Sequence, residues 1–522
     1  MRYLVSTIIL ISIIMFSSCR KDFDTELSTG NLTFSKDTIF FNRVFDDISS
    51  STRRFTVRNS SDNDITIPTI SLERGESSFY RLNVDGIAGK SFNNIDILAK
   101  DSIFVFVEAT INFDDVDTEF MYRDNVLFDT GTNEQKVELE ALVLDVNLIR
   151  PDREELEGED GFVFEEIILG QTVDPNNPDE LIDVSVVGTN LADDELHWTS
   201  DKPYLVYNFV GVPPGKTLII DAGTQIHFHA NSGIIVQNGA KIEVNGTLDN
   251  QVVFQGDRLE ELFEDVPGQW FMINLMKGSK NSIIENAVIK NSVIGLLVES
   301  DISIAEETLT ANNVQIYNTT SYGILGNEAK ITAKNLVIGN NGLSSFGTVL
   351  GGTYNFTHAT FGNYWRNSNR QIPTVFLTNL SNTFEGHLTA NFTNCIIDGN
   401  QNIEIGLEKG ELGGTFDFKF KNCLLKFDDV SNQFIDNPLY NMTDVALYEN
   451  IILNESANFK NTNANDGATD LRIGDASQAN GMADFTVIGA DSILLKDIIG
   501  TTRTSPTDIG AYNHIIFEED VD

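Results

Sequence analysis

One short pattern recurs through this 522-residue chain and leaves few folds open to it. It reads Asn286-Ala287-Val288-Ile289-Lys290-Asn291, then Asn313-Val314-Gln315-Ile316-Tyr317-Asn318, then Asn335-Leu336-Val337-Ile338-Gly339-Asn340. It returns as Asn394-Cys395-Ile396-Ile397-Asp398 and Asn422-Cys423-Leu424-Leu425-Lys426, with His358-Ala359-Thr360-Phe361-Gly362-Asn363 as a variant copy. Successive first positions are 27, 22, 23, 36 and 28 residues apart. Periods of this size belong to stacked supersecondary units. Helical units would need long segments of 3.6 period, and there are none here. Short β runs punctuated by Asn and Gly fit a coil of parallel strands, one turn per repeat. The spacing of 36 predicts a rung with a protruding loop around Tyr364 to Leu388.

Strand alternation assigns the faces. The second and fourth pattern positions are apolar in every copy (Ala287/Ile289, Val314/Ile316, Leu336/Ile338, Ala359/Phe361, Cys395/Ile397 and Cys423/Leu425), so they point into the coil. The first position becomes a ladder of Asn, a residue that tolerates a left-handed bend and whose amide can bond rung to rung. Cys395 and Cys423 fall at one inward position in consecutive copies, about 4.8 Å apart at Cα, and are expected as free thiols. The third position holds Val288, Gln315, Val337, Thr360, Ile396 and Leu424 and faces out. An Asp at Ile338 should therefore be far more damaging than one at Val337, unless a loop or partner covers the apolar outer column.

The stretch before the repeats fits the same coil. Gly215 to Ile220, Ala222-Gly223-Thr224-Gln225-Ile226-His227-Phe228, Gly233 to Val236, Gly239 to Val244 and Val252-Val253-Phe254 resemble the opening rungs of the pectate-lyase-like superfamily, whose fold is a right-handed parallel β-helix. Gly268-Gln269-Trp270 with Ile273, and Asp508-Ile509-Gly510-Ala511-Tyr512 near the end, resemble steps found in such secreted proteins. The resemblance spans about 203–515 and implies an all-β solenoid. It also implies a carbohydrate-active enzyme, a polysaccharide lyase or glycoside hydrolase, as one possible function. Lyases of this superfamily mount Asp and Glu on the outer face, and the outer column here has no carboxylate.

Upstream, 30–148 shows short β-rich stretches between turn clusters, the pattern of a β-sandwich. Phe104 and Phe106 alternate with Val105 and Val107, so both faces are apolar and that strand is expected in the middle of the sandwich. The order Phe55 to Asn59, Ile65 to Ile70, Phe79 to Leu82 and Asp101 to Val105 resembles Ig-like domains of the spindle-protein/Hydin type, which implies a spacer or docking module. Residues 149–202 read as an acidic linker leading into the coil: Pro151 precedes the charge run from Asp152 to Asp160, and Asp174-Pro175-Asn176-Asn177-Pro178-Asp179 reads as a turn. The coil proper runs over 203–460, and 461–522 is its C-terminal end and cap.

At the N-terminus Arg2 precedes an apolar run from Tyr3 to Phe16, which is short for a membrane span and suited to a signal peptide. Phe16-Ser17-Ser18-Cys19 resembles a bacterial lipobox, implying a signal peptide over 1–18, diacylation of Cys19 and a tether over 19–29. Arg20 at the next position, not Asp, implies the outer membrane, and the charged stretch through Asp24 implies display at the cell surface. With Lys plus Arg 35 and Asp plus Glu 77, the net charge of −42 excludes a nucleic-acid partner, since no basic stripe could neutralise phosphates. The expected partners are the membrane, through the lipid, and a polysaccharide or another envelope protein.

Chemistry-bearing clusters are sparse, and no cofactor is expected. His227 and His229 would share an outward face, but no third metal ligand accompanies them. Asn461-x-Asn463-x-Asn465-Asp466-Gly467-x-x-Asp470 echoes a calcium loop with its Gly one place late. Tyr364, Trp365 and Arg366, with Arg370 nearby, sit on the protruding loop and are the candidate ligand-binding residues, because aromatics beside polar groups can stack on sugar rings. The favoured function is a non-catalytic binding or structural module of a surface lipoprotein; the rival is the enzyme.

Overall fold

The computed structural model describes residues 24–113, 120–155, 161–174, 177–301, 303–381, 384–463 and 468–517. Cys19 and its lipobox lie outside the described residues. The chain divides into two compact units, the first ending at Asp145 and the second beginning at Val146.

The first unit is a β-sandwich. A six-stranded and a five-stranded sheet share one core, to which Ile67, Val126 and Leu139 contribute from one sheet and Phe55, Val105 and Val107 from the other. Ser102–Ala109 is the central strand of the five-stranded sheet, but only one of its apolar faces is turned into the sandwich core. Its Val105 and Val107 are fully buried, while Phe104 is 46% exposed beneath the Arg54 guanidinium, 5.5 Å from the ring centre.

The second unit is an all-β coil of parallel strands. Each full turn has three straight runs, and like runs stack into three columns. Two columns form one eighteen-stranded sheet, folded along a bend, and the third is a ten-stranded sheet. Strands Ser282–Lys290, Leu309–Thr319 and Lys330–Asn341 each cross that bend. The bend residues Asn286, Asn313, Asn335, His358, Asn394 and Asn422 have φ between 48° and 56°, a left-handed conformation that Asn adopts at low cost. The amides connect rungs as expected: Asn313 Nδ2 donates to Asn286 Oδ1 (3.1 Å) and Asn335 Nδ2 to Asn313 Oδ1 (2.9 Å). A second ladder closes the other end of the same column, where Asn318 donates to Asn291 (3.3 Å) and Asn340 to Asn318 (2.6 Å). The sixth pattern position was its signal.

Register confirms the inward column. Ile289, Ile316, Ile338, Phe361, Ile397 and Leu425 are successive partners, and all are fully buried in one continuous core. Cys395 and Cys423 are buried free thiols in that core, the Cys395 amide 3.4 Å from Cys423 Sγ. Burial pushes the Cys395 thiol well above its usual range.

Two regions depart from the sequence reading. Residues 153–190 are not simply a linker. Arg153–Glu155 pairs with Phe162–Phe164, and Glu166–Asp174 with the long strand Asn177–Asn190, both antiparallel. Acidic residues hid an alternation of aliphatics there. The C-terminal residues do not cap the end of the coil either. From Ala457 onward the chain folds back along the outer face of the second column. Ala457, Ile473, Ala479 and Ile509 pack on Ile396 and Leu424, while Leu471, Ile498, Ala511 and Tyr512 pack on Val337. Val337 is thus as fully buried as Ile338. The expectation that Asp would be mild at Val337 is corrected: the side chain points away from the coil but into a second, smaller core.

Candidate ligand-binding site

The protruding loop starts where strand Thr360–Asn363 leaves the second column and ends where Val375–Thr378 enters the third. The next rung repeats the path with Ile396–Gly399 and Ile405–Glu408. Two carboxylates of that rung hold the loop from beneath.

Glu404 is fully buried and forms a bidentate pair with Arg370, Nη1 to Oε2 at 2.8 Å and Nη2 to Oε1 at 2.5 Å. Its remaining lone pairs accept from the Thr374 amide (2.9 Å), the Thr374 hydroxyl (2.7 Å) and the Gln401 amide (2.7 Å). Arg370 also donates to the carbonyls of Ile372 (2.8 Å) and Asn363 (3.2 Å) and to Asn400 Oδ1 (2.9 Å). These bonds offset much of the cost of burying the pair, although the Arg370 Nε is buried without a partner.

Asp398 is 8% exposed. Its Oδ2 accepts from the Tyr364 hydroxyl (2.9 Å) and its Oδ1 from the Gly399 amide (2.7 Å), with Lys426 Nζ 3.7 Å away. Burial raises this carboxyl above the usual range, with the Lys426 charge opposing. Burial and the neighbouring Asp398 charge push the Tyr364 phenol well up.

The three candidate residues are therefore placed differently. Tyr364 is half-buried, hydrogen-bonded to Asp398 and packed edge-on against Phe459. Trp365 is buried, its Nε1 donating to Ser368 Oγ (2.9 Å). Arg366 is exposed and donates to Asn463 Oδ1 (3.1 Å). The loop has folded its aromatics down and left polar groups outward. Among the described residues, Trp365, Arg366, Ser368, Asn369, Arg370, Gln371, Asn400 and Gln401 line an open cleft of about 440 Å³, with no carboxylate among them. Trp365 and Arg366 came from the sequence; Asn400 and Gln401 did not, because they lie on the following rung and only the coil's register brings them to the loop.

The two histidines read from sequence are held by contacts within the fold. His227 is buried with Nδ1 3.3 Å from the Gly256 carbonyl. His229 stacks on Tyr207 at 4.3 Å and its Nδ1 lies 2.7 Å from Asp257, whose hydrogen bond raises the imidazole's pKa. Among the described residues, no three His, Cys, Asp or Glu come together to hold a metal ion. Part of the calcium-like loop, 464–467, lies outside the described residues, and both oxygens of Asp470 are bonded to the Arg472 guanidinium. Among the described residues no helix is long and apolar enough to cross a membrane.

Neither a family model nor a curated protein matches the sequence. Among solved structures, the chain is similar to the catalytic unit of a thermostable GH87 alpha-1,3-glucanase from Streptomyces thermodiastaticus, 11% identical over 72% of this chain and 74% of that one, with a TM-score of 0.27. A GH87 alpha-1,3-glucanase catalytic domain in complex with nigerose is 11% identical over 72% and 70%, with a TM-score of 0.20. The E. coli chaperone DraB is 9% identical over 27% of this chain and 83% of its own, with a TM-score of 0.16. Likenesses this distant carry no statement about reaction, substrate or partner.

Proposed function

We propose that this chain is a lipid-anchored protein of the outer membrane, displayed at the cell surface, whose β-coil is a non-catalytic module that binds carbohydrate at the cleft under the 364–374 loop. One observation carries the reading: among the described residues the cleft is lined by side-chain amides, two guanidiniums, a hydroxyl and the buried Trp365. Such polar groups suit the hydroxyls of an uncharged sugar. Glycoside hydrolysis by the usual route needs two carboxylates free to exchange protons or attack. Here the two carboxylates that hold the loop, Asp398 and Glu404, are committed to Tyr364 and Arg370.

Equilibrium binding to a panel of uncharged oligosaccharides, with a reducing-end assay on the same preparation, tests this. The expected result is binding that falls roughly tenfold in Arg366→Ala or Asn400→Ala, as for loss of one well-placed polar contact, with no new reducing ends. Steady release of reducing ends would make the chain the enzyme that its superfamily resemblance implies. Anchoring is tested separately: Cys19→Ala should move the protein from the detergent phase to the aqueous phase, and a mutant still in detergent would refute lipidation at Cys19.

A further inference from the structure

Among the described residues, the antiparallel ribbon Glu166–Asp174/Asn177–Asn190 pairs with the coil through one short seam, Gly188–Asn190 against Phe209–Gly211. The rest of the ribbon has no other strand beside it among the described residues, and Glu166–Asp174 is the terminal strand of the ten-stranded sheet. Its far edge therefore offers backbone donors and acceptors with no partner strand. Both faces carry open aliphatics. Val173 and Leu181 face each other across one face, 51% and 58% exposed; Ile182 and Val184 lie on the other, 39% and 41% exposed. A two-stranded ribbon is marginal by itself. A long apolar edge is a site for strand addition unless charge, Pro or cover blunts it.

The charge on this ribbon says what can cover it. Between residues 165 and 190 there are Glu165, Glu166, Asp174, Asp179, Glu180 and Asp183, and no Lys or Arg. A second copy would bring the same carboxylates against them, and like charges facing across a strand pair are unfavourable. An anionic membrane is disfavoured for the same reason. We propose that the ribbon is a docking edge for a basic, extended segment of another protein, which adds as a strand beside Glu166–Asp174, seats its apolar side chains on the ribbon's aliphatics and sets its Lys or Arg among the carboxylates.

The test uses the full chain and two ten-residue synthetic peptides, alternating Val-Lys and alternating Val-Glu. The chain should bind Val-Lys and not Val-Glu, more weakly as salt rises, with amide exchange slowed over 166–174. The variant Ile168→Thr/Val173→Thr, on the edge strand itself, where both side chains are exposed, keeps the charge and the strand propensity. It should bind Val-Lys roughly tenfold or more weakly. Equal binding by that variant would show attraction to an acidic surface in general and overturn the proposal, as would binding of neither peptide. A dimer in light scattering that the same variant abolishes would assign the ribbon to a second copy. Ribbon-dependent retention on phosphatidylcholine vesicles would assign it to lipid. Either result overturns the proposal.

Discussion

His358 holds the place in the bend ladder that Asn holds in the other copies, with φ at 53°. Its Nε2 accepts from Asn394 Nδ2 (3.0 Å), and its Nδ1 donates to the Gly510 carbonyl (3.1 Å), so the ring is neutral and bonded at both nitrogens. Burial, and then the nearby Arg503 charge, hold its pKa well below the ordinary 6.5. The unfolded chain thus binds a proton that the folded chain refuses, and stability rises with pH across this window. The contribution is complete above about 6.5 and is lost as pH falls below it. Thermal unfolding from pH 7.5 to 5 should show a decline in Tm that His358→Asn largely removes; an unchanged slope in that variant would refute the assignment. The Arg370–Glu404 pair gives a second expectation. Glu404→Gln should cost about 3–5 kcal/mol by stranding a buried guanidinium, and Arg370→Met/Glu404→Leu should recover most of it in a double-mutant cycle. Sequence marked the loop that carries Arg370 by its 36-residue spacing. It could not mark Glu404, which belongs to the next rung and meets Arg370 only through register.

For each strand, alternation alone separated Ile338 from Val337, and the direction of both side chains was legible. What lies outside was not, because the cover comes from residues more than a hundred positions away. The apolar outer column was its one signal. Glycines complete the fit: a Cβ on Gly362 would sit 2.7 Å from Leu471 Cδ2, so the small residue makes room for the returning chain. The two Asp substitutions should therefore fail differently. Ile338→Asp buries a carboxylate in the continuous core, at several kcal/mol, and should open the coil to protease with 24–145 left intact. Val337→Asp buries one in the smaller core formed with Leu471, Ile498, Ala511 and Tyr512. It should release a fragment beginning near Ala457 first, while the coil persists. Simultaneous loss in both variants would show that the two cores are one cooperative unit.

Across the whole molecule, the repeat spacing revealed the coil, and the alternating runs before Asp145 revealed the sandwich. Between them, the acidic residues around Asp152 and Glu180 drew attention to solvation and away from Ile182, Val184 and Val186, whose alternation marks a strand. The candidate site was legible only as a loop, since its lining is shared between rungs. The functional account depends on the outer face of the second column being closed by the chain's own C-terminal residues. Ala511 N donates to Thr360 Oγ1 (3.0 Å) across that seal, and Thr360 is 1% exposed. Asn391, on the open first column, is exposed. Maleimide labelling of Thr360→Cys and Asn391→Cys in the native full-length protein measures the seal directly. Asn391→Cys should label within minutes, and Thr360→Cys should stay unreactive until denaturant is added. Equally fast labelling at both positions would mean that the face is open, and would contradict the account.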